Sequence, residues 1–104
     1  MAELMDVATL SDLPPGTCLS VEVSGVLIAL FNVEGRIFAT SNTCPHAGGP
    51  LGEGLLQGEV VECPWHGWRF NVRTGVRPEN PQFAVPTYEV QIEGERIRVA
   101  VPLP

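Results

Sequence analysis

Residues 17–40 read TCLSVEVSGVLIALFNVEGRIFAT, and the fold class follows from this stretch. Residues 17–23 alternate apolar and polar side chains, the period of a strand with one buried face. Ser24-Gly25 is a turn signal and residues 26–33 are rich in β-branched and aromatic side chains, so the segment predicts a hairpin. Glu34-Gly35 turns the chain again, and residues 36–40 continue as a third strand. The result is an antiparallel meander in which each strand can bury one face against its neighbours.

Towards the carboxyl end the same grammar returns. Residues 87–92 alternate, Glu93-Gly94-Glu95 is a turn, and residues 96–101 alternate Arg with Ile and Val, which predicts a second hairpin. Residues 42–80 differ, with seven Gly and four Pro and apolar runs too short for long strands. Residues 58–62 and 68–72 read there as short strands, with Cys63-Pro64-Trp65-His66-Gly67 as the loop between them. Apolar residues nowhere recur at helical spacing over three turns, so helix should be minor. No internal repeat of about 20 residues or more is present. The expectation is an all-β protein with one loop-rich region.

A chain of 104 residues is long enough for one hydrophobic core and too short for two, so residues 1–104 are read as a single domain with a subdomain at about 42–80. The 11 Gly and 10 Pro without a repeating period indicate turns rather than disorder. Six basic against twelve acidic residues leave a net charge of −6, which repels a phosphate backbone or an anionic bilayer, so neither nucleic acid nor membrane is an expected partner. Residues 1–13 have no basic residue ahead of an apolar run, and Asp6 and Asp12 interrupt them, so no export signal is read. The strongly apolar run 26–31 falls far short of the roughly 18 residues that span a bilayer. A soluble, cytoplasmic protein is expected. Three cysteines cannot all pair, and a reducing compartment disfavours a disulfide, which points to metal ligation for at least two of them.

The chemistry lies in the loop-rich region. The sequence has two histidines, and each closely follows a cysteine, in Cys44-Pro45-His46 and in Cys63-Pro64-Trp65-His66, with 16 residues (47–62) between the two motifs. Two soft thiolates and two imidazoles on Gly- and Pro-rich loops can surround a metal centre without bending a long element. The plainer reading treats the cysteines as small buried apolar residues with loop histidines beside them. It would have to account for two such pairs in which every histidine of the chain is used. Tetrahedral zinc is a rival within metal chemistry, but zinc fingers normally bring two Cys together and two His together, and here they are mixed.

The pattern C-x-H, 16 residues, C-x2-H resembles the Rieske signature, and CPHAGGPLGEG (44–54) and CPWHGWRFNVRTG (63–75) extend the likeness past the four candidate ligands. It continues to the final VPTYEVQIEGERIRV (85–99). The resemblance to Rieske-type ferredoxins implies an antiparallel β-sandwich or barrel base with a loop-rich cluster-binding subdomain at one tip. It also implies one Rieske-type [2Fe-2S] cluster, one iron held by Cys44 and Cys63 and the other by His46 and His66.

Two ferric ions, two sulfides and two thiolates sum to zero when the imidazoles are neutral, whereas four thiolates would give −2, so reduction of the mixed cluster is easier. Rieske centres span about −150 to +300 mV, against about −400 mV for plant-type clusters. High-potential relatives have a disulfide between the loops where this chain has Gly49 and Trp65, and hydroxyl donors to the cluster where it has Trp68 and Phe70. The expected potential is therefore near the low end, and a value well above about 0 mV would refute it. Gly48, Gly49 and Gly67 either bring backbone N–H groups to the cluster or serve only as turn residues. Trp65 and Trp68 are read as packing around the loops, and Cys18 as a small core residue. Glu53, Glu59 and Glu62 either face a basic partner or only keep the protein soluble.

A one-electron centre in so small a domain implies a carrier and not an enzyme. Rieske oxygenase large subunits need two more histidines for a mononuclear iron, and both histidines here are committed. The resemblance points to the ferredoxin component of a bacterial ring-hydroxylating dioxygenase system. Such a component takes electrons from an NAD(P)H-dependent flavin-containing ferredoxin reductase and passes them to the terminal oxygenase, as a monomer that docks weakly. Alternatives are a nitrite reductase small subunit, a carrier for another oxidoreductase, or a non-redox interaction module stabilised by zinc.

Overall fold

The computed structural model describes residues 2–45, 48–65 and 67–102. The meander forms where the alternation predicts it, as β2 (Cys18–Val23), β3 (Val26–Val33) and β4 (Arg36–Ser41). Val23 pairs with Val26 and Val33 with Arg36, so both connections are two-residue turns. Ser24 and Glu34 have φ of 51° and 52°, the left-handed geometry whose twist suits such hairpins.

β3 differs from the expectation of one buried face per strand. Ile28 and Leu30 point into one core and Ala29 and Phe31 into another, and all four are fully buried. A strand covered on both sides needs apolar residues at consecutive positions, which explains why residues 26–33 read as a nearly continuous apolar run.

The first core lies between the meander and a sheet in the order β1 (Ala2–Thr9), β10 (Arg96–Pro102), β9 (Val90–Glu93). In β10 (Arg96–Pro102) every second residue, Ile97, Val99 and Val101, is buried against Leu13, Ile28, Leu30 and Ala39. The partner β1 (Ala2–Thr9) is a strand the sequence pattern does not reveal. It pairs with β10 from Ala2↔Pro102 to Thr9↔Arg96, with the register shifting between Asp6 and Ala8. That bulge breaks the two-residue period, so Met5, Val7 and Ala8 all pack on the core without alternating.

Residues 87–92, expected as one strand, divide. β8 (Thr87–Tyr88) pairs with β4, β9 (Val90–Glu93) pairs with β10, and the intervening Glu89 carbonyl accepts a hydrogen bond from the Ala100 N–H at 3.0 Å. One short segment thereby crosses between the two sheets of the sandwich.

The loop-rich region builds a third sheet, β5 (Leu55–Gln57), β6 (Val60–Glu62) and β7 (Arg69–Asn71), of which β5 was not expected from sequence. It covers the second face of the meander. Leu51, Val61, Phe70 and Val72 join Ala29 and Phe31 in a core that also contains Cys44, Cys63 and Val85. Helix among the described residues is limited to the short turns Leu10–Asp12 and Leu51–Glu53. Among the described residues no helix is long and apolar enough to cross a membrane.

Candidate metal centre

The first loop leaves β4 at Asn42, a residue only 7% exposed. Its N–H donates to the Leu27 carbonyl (3.0 Å), and its own carbonyl accepts from the Leu51 N–H (2.8 Å). Its side-chain Oδ1 accepts from the Gly52 N–H (2.7 Å) and the Ser20 hydroxyl (3.3 Å). One buried amide thus holds the chain entering the loop, the chain leaving it and the neighbouring β2. Thr43 bridges to Pro50, and the Cys44 N–H donates to the Gly49 carbonyl at 2.9 Å, which closes the loop with Cys44 at its neck.

The second loop connects β6 to β7 and is closed in the same way. The Cys63 N–H donates to the Trp68 carbonyl at 2.7 Å. Each loop therefore starts with a cysteine at a hydrogen-bonded neck. His46 and His66, the other two predicted ligands, lie outside the described residues.

Cys44 and Cys63 are each 1% exposed and free of disulfides, and they interact directly. Burial pushes the Cys63 thiol up; the Trp65 N–H, 3.4 Å from Sγ, works against this, and the Cys44 side chain adds to the rise. The buried Cys63 thiol resists ionisation unless a cation arrives to stabilise the thiolate, and a metal ion does that. Among the described residues no three His, Cys, Asp or Glu side chains converge, so the thiols form a pair and not a complete ligand set.

Gly49 shows how closely the loops meet. A Cβ there would lie 2.8 Å from the Cys63 Sγ and 2.9 Å from the Trp65 Cγ, so only a glycine lets the first loop lie against the second loop's cysteine. Gly48 and Gly67 differ, with φ of 76° and 73° and no crowding around Gly48. Positive φ is what calls for glycine at Gly48 and Gly67, whereas at Gly49 it is the contact between the two loops.

Trp68 packs against the core that contains both cysteines, with Phe83 edge-on at 5.0 Å and the Arg77 guanidinium carbon 3.7 Å from its ring centroid. Phe70 is buried, and Trp65 is 50% exposed beside Cys63. Neither Trp68 nor Phe70 has a hydroxyl, whereas the Trp65 N–H gives the Cys63 sulfur a backbone donor. Of Glu53, Glu59 and Glu62, Glu59 pairs with Arg73 at 3.4 Å, and the other two are exposed. Cys18 is half-buried; its thiol donates to the Gly54 carbonyl (3.2 Å), and burial raises its pKa. An open groove of about 700 Å³ runs between β2 and residues 52–56, and neither Cys44 nor Cys63 lines it.

Sequence reasoning did not single out Asn42 or Arg77. Asn in a turn-rich stretch signals only a turn, and an Arg followed by Pro signals a loop; what each one touches is visible only in three dimensions.

Paired buried thiols at the necks of two facing loops, on a small antiparallel β scaffold, define a protein built around a loop-held metal centre. The donor set and the Gly49 cradle fit an iron–sulfur cluster reached from both loops. The Rieske [2Fe-2S] domain family matches residues 3–89, and the chain belongs to it. Its cofactor is one Rieske-type [2Fe-2S] cluster.

The chain is 43% identical over 94 residues to the ferredoxin component of the naphthalene 1,2-dioxygenase/salicylate 5-hydroxylase systems of a Ralstonia species, covering 89% of this chain and 90% of that one. It superposes on the ferredoxin of carbazole 1,9a-dioxygenase from Nocardioides aromaticivorans with a TM-score of 0.87 at 34% identity, covering 95% and 98% of the two chains. A similar match is to a chain in a complex of reduced oxygenase and oxidized ferredoxin in carbazole 1,9a-dioxygenase, with a TM-score of 0.85, 35% identity and 97% of each chain covered. These relatives are named as ferredoxins, that is, as electron-transfer components.

Proposed function

We propose that Cys44 and Cys63 hold one iron of the cluster and His46 and His66 the other, within a single domain whose residues 42–80 form the cluster-binding part. On this reading the chain is a one-electron carrier. It takes electrons from an NAD(P)H-dependent flavin reductase and passes them to a terminal Rieske oxygenase in aromatic ring dihydroxylation, working as a soluble monomer in the cytoplasm. The observation that supports it is the buried Cys44–Cys63 pair at the necks of two loops that only Gly49 allows to touch. The oxygenase partner is supported by the likeness to a ferredoxin in a complex with its oxygenase. The reductase rests on the resemblance of the sequence.

The bound cluster supplies one reversible electron-accepting centre. The chain's own residues do the rest. The two thiolates bind, the Trp65 N–H spreads the charge on the Cys63 sulfur, and Phe70, Val61 and Leu51 keep water from the cysteine side. The hydroxyl-free positions Trp68 and Phe70 leave the added electron less stabilised, consistent with a potential near the low end of the family's range.

The test is an EPR spectrum before and after dithionite on the purified protein, with iron and zinc measured on the same sample. A rhombic signal of low average g on reduction, with about two irons per chain, is the expected outcome. A colourless, EPR-silent protein with one zinc would overturn the reading. Reconstitution with a flavin reductase and a ring-hydroxylating oxygenase then tests the carrier role, since electron flow should depend on added chain.

A further inference from the structure

We propose that Arg77, stacked on Trp68, is a positioning residue that raises the reduction potential of the cluster and joins the 77–83 loop to the second cluster loop. The inference rests on the cluster reading above.

The geometry has two parts. Arg77 and Phe83 flank the same indole, one by its guanidinium at 3.7 Å and the other edge-on at 5.0 Å and 71°. They sit at the two ends of one closed loop, in which the Arg77 N–H donates to the Phe83 carbonyl (2.9 Å) and the Phe83 N–H to the Asn80 carbonyl (3.0 Å). The clamped ring belongs to the residue whose carbonyl holds the Cys63 N–H at 2.7 Å. A shift of Trp68 would therefore pull on the neck of the second loop.

The second part is charge. The sequence has six basic residues, all arginine. Arg69, Arg73, Arg96 and Arg98 form ion pairs with carboxylates, whereas among the described residues Arg77 forms none. Its Nε is buried without a hydrogen-bond partner among the described residues, a cost that a native fold seldom retains without a use. An unneutralised cation held against an aromatic ring, in a chain of net charge −6, adds positive potential on the cysteine side of the centre. Reduction adds one electron to the cluster, so that potential favours the reduced state and loss of the charge lowers the midpoint.

The test compares R77K, R77M and R77Q by redox titration of the EPR signal, with thermal unfolding measured alongside. R77K keeps the charge and should stay close to the wild-type midpoint, while R77M and R77Q should both move to lower potential by clearly more than R77K. Thermal stability should fall in all three, because each loses the guanidinium stack. Neutral variants with the wild-type midpoint would overturn the proposal, as would loss of the cluster from all three variants alike, since either outcome makes Arg77 a packing residue only. Absence of any Rieske signal in the wild-type protein would instead count against the cluster reading.

Discussion

The two faces of β3 separate two regions held together by different means. On one side Ile28 and Leu30 meet Leu13, Ile97, Val99 and Val101, in a core closed by long strands whose fully buried side chains are all hydrocarbon. On the other, Ala29 and Phe31 meet a patchwork from three-residue strands and loop necks that includes Cys44 and Cys63. The base can close its core by burial alone, whereas the upper region buries two thiols whose full value comes only when metal is bound. Stability and function are thus divided between layers that share one strand.

Removing the metal is the largest perturbation of that division. Chelation, or C63S, should abolish the cluster and loosen residues 42–80 while the base keeps its sheets. Hydrogen exchange should then rise in β5–β7 and stay low in β3 and β10. Uniform loss of protection would mean the two layers fold as one unit.

Neighbouring substitutions in β3 sharpen the contrast, because adjacent residues face opposite cores. Leu30→Ala should cost about 2–5 kcal/mol and lower the unfolding midpoint with or without cluster. Phe31→Ala should cost about 3–5 kcal/mol, but much of it should appear as faster cluster loss. Denaturant melts of holo and apo protein, with iron release followed in parallel, distinguish them; identical behaviour would erase the difference between the faces.

Asn42→Ala tests the link between layers. Leaving the Gly52 N–H without its acceptor should cost about 1–3 kcal/mol and free the first loop, so iron release should quicken while the base is little changed. A global loss of stability with normal iron retention would show that Asn42 serves the base instead.

The smallest expected effect concerns Cys18. Burial raises its pKa from 9.0, so the folded state prefers the neutral thiol. The associated stability is fully present below the unfolded-state pKa and is lost as pH rises through the higher folded-state value. Stability should therefore decline in the alkaline range above about pH 9, and Cys18→Ala should flatten that decline. An unchanged alkaline slope in the variant would assign it to other groups.

Much of this architecture was legible in the sequence. The meander stands out because antiparallel strands imprint a period of two and its turns demand left-handed residues, and the final hairpin carries the same marks. The candidate site was legible for a different reason, since Cys-x-His and Cys-x2-His motifs on Gly- and Pro-rich loops have few structural uses besides a metal centre. Strand β1 was not legible, because its bulge destroys the period. The division of residues 87–92 was hidden because alternation reports burial and not which sheet a strand joins.

By itself, then, the sequence determined the fold class, the family and the two loops that carry the thiols, because these depend on local periodicity and on the identity of the side chains. The tertiary structure alone decided that β3 is buried on both faces, that Gly49 is a contact and not a turn, that Asn42 ties loop to base, and that Arg77 lies on Trp68. Each of these joins residues distant along the chain or on different elements, and such contacts leave no local pattern to read.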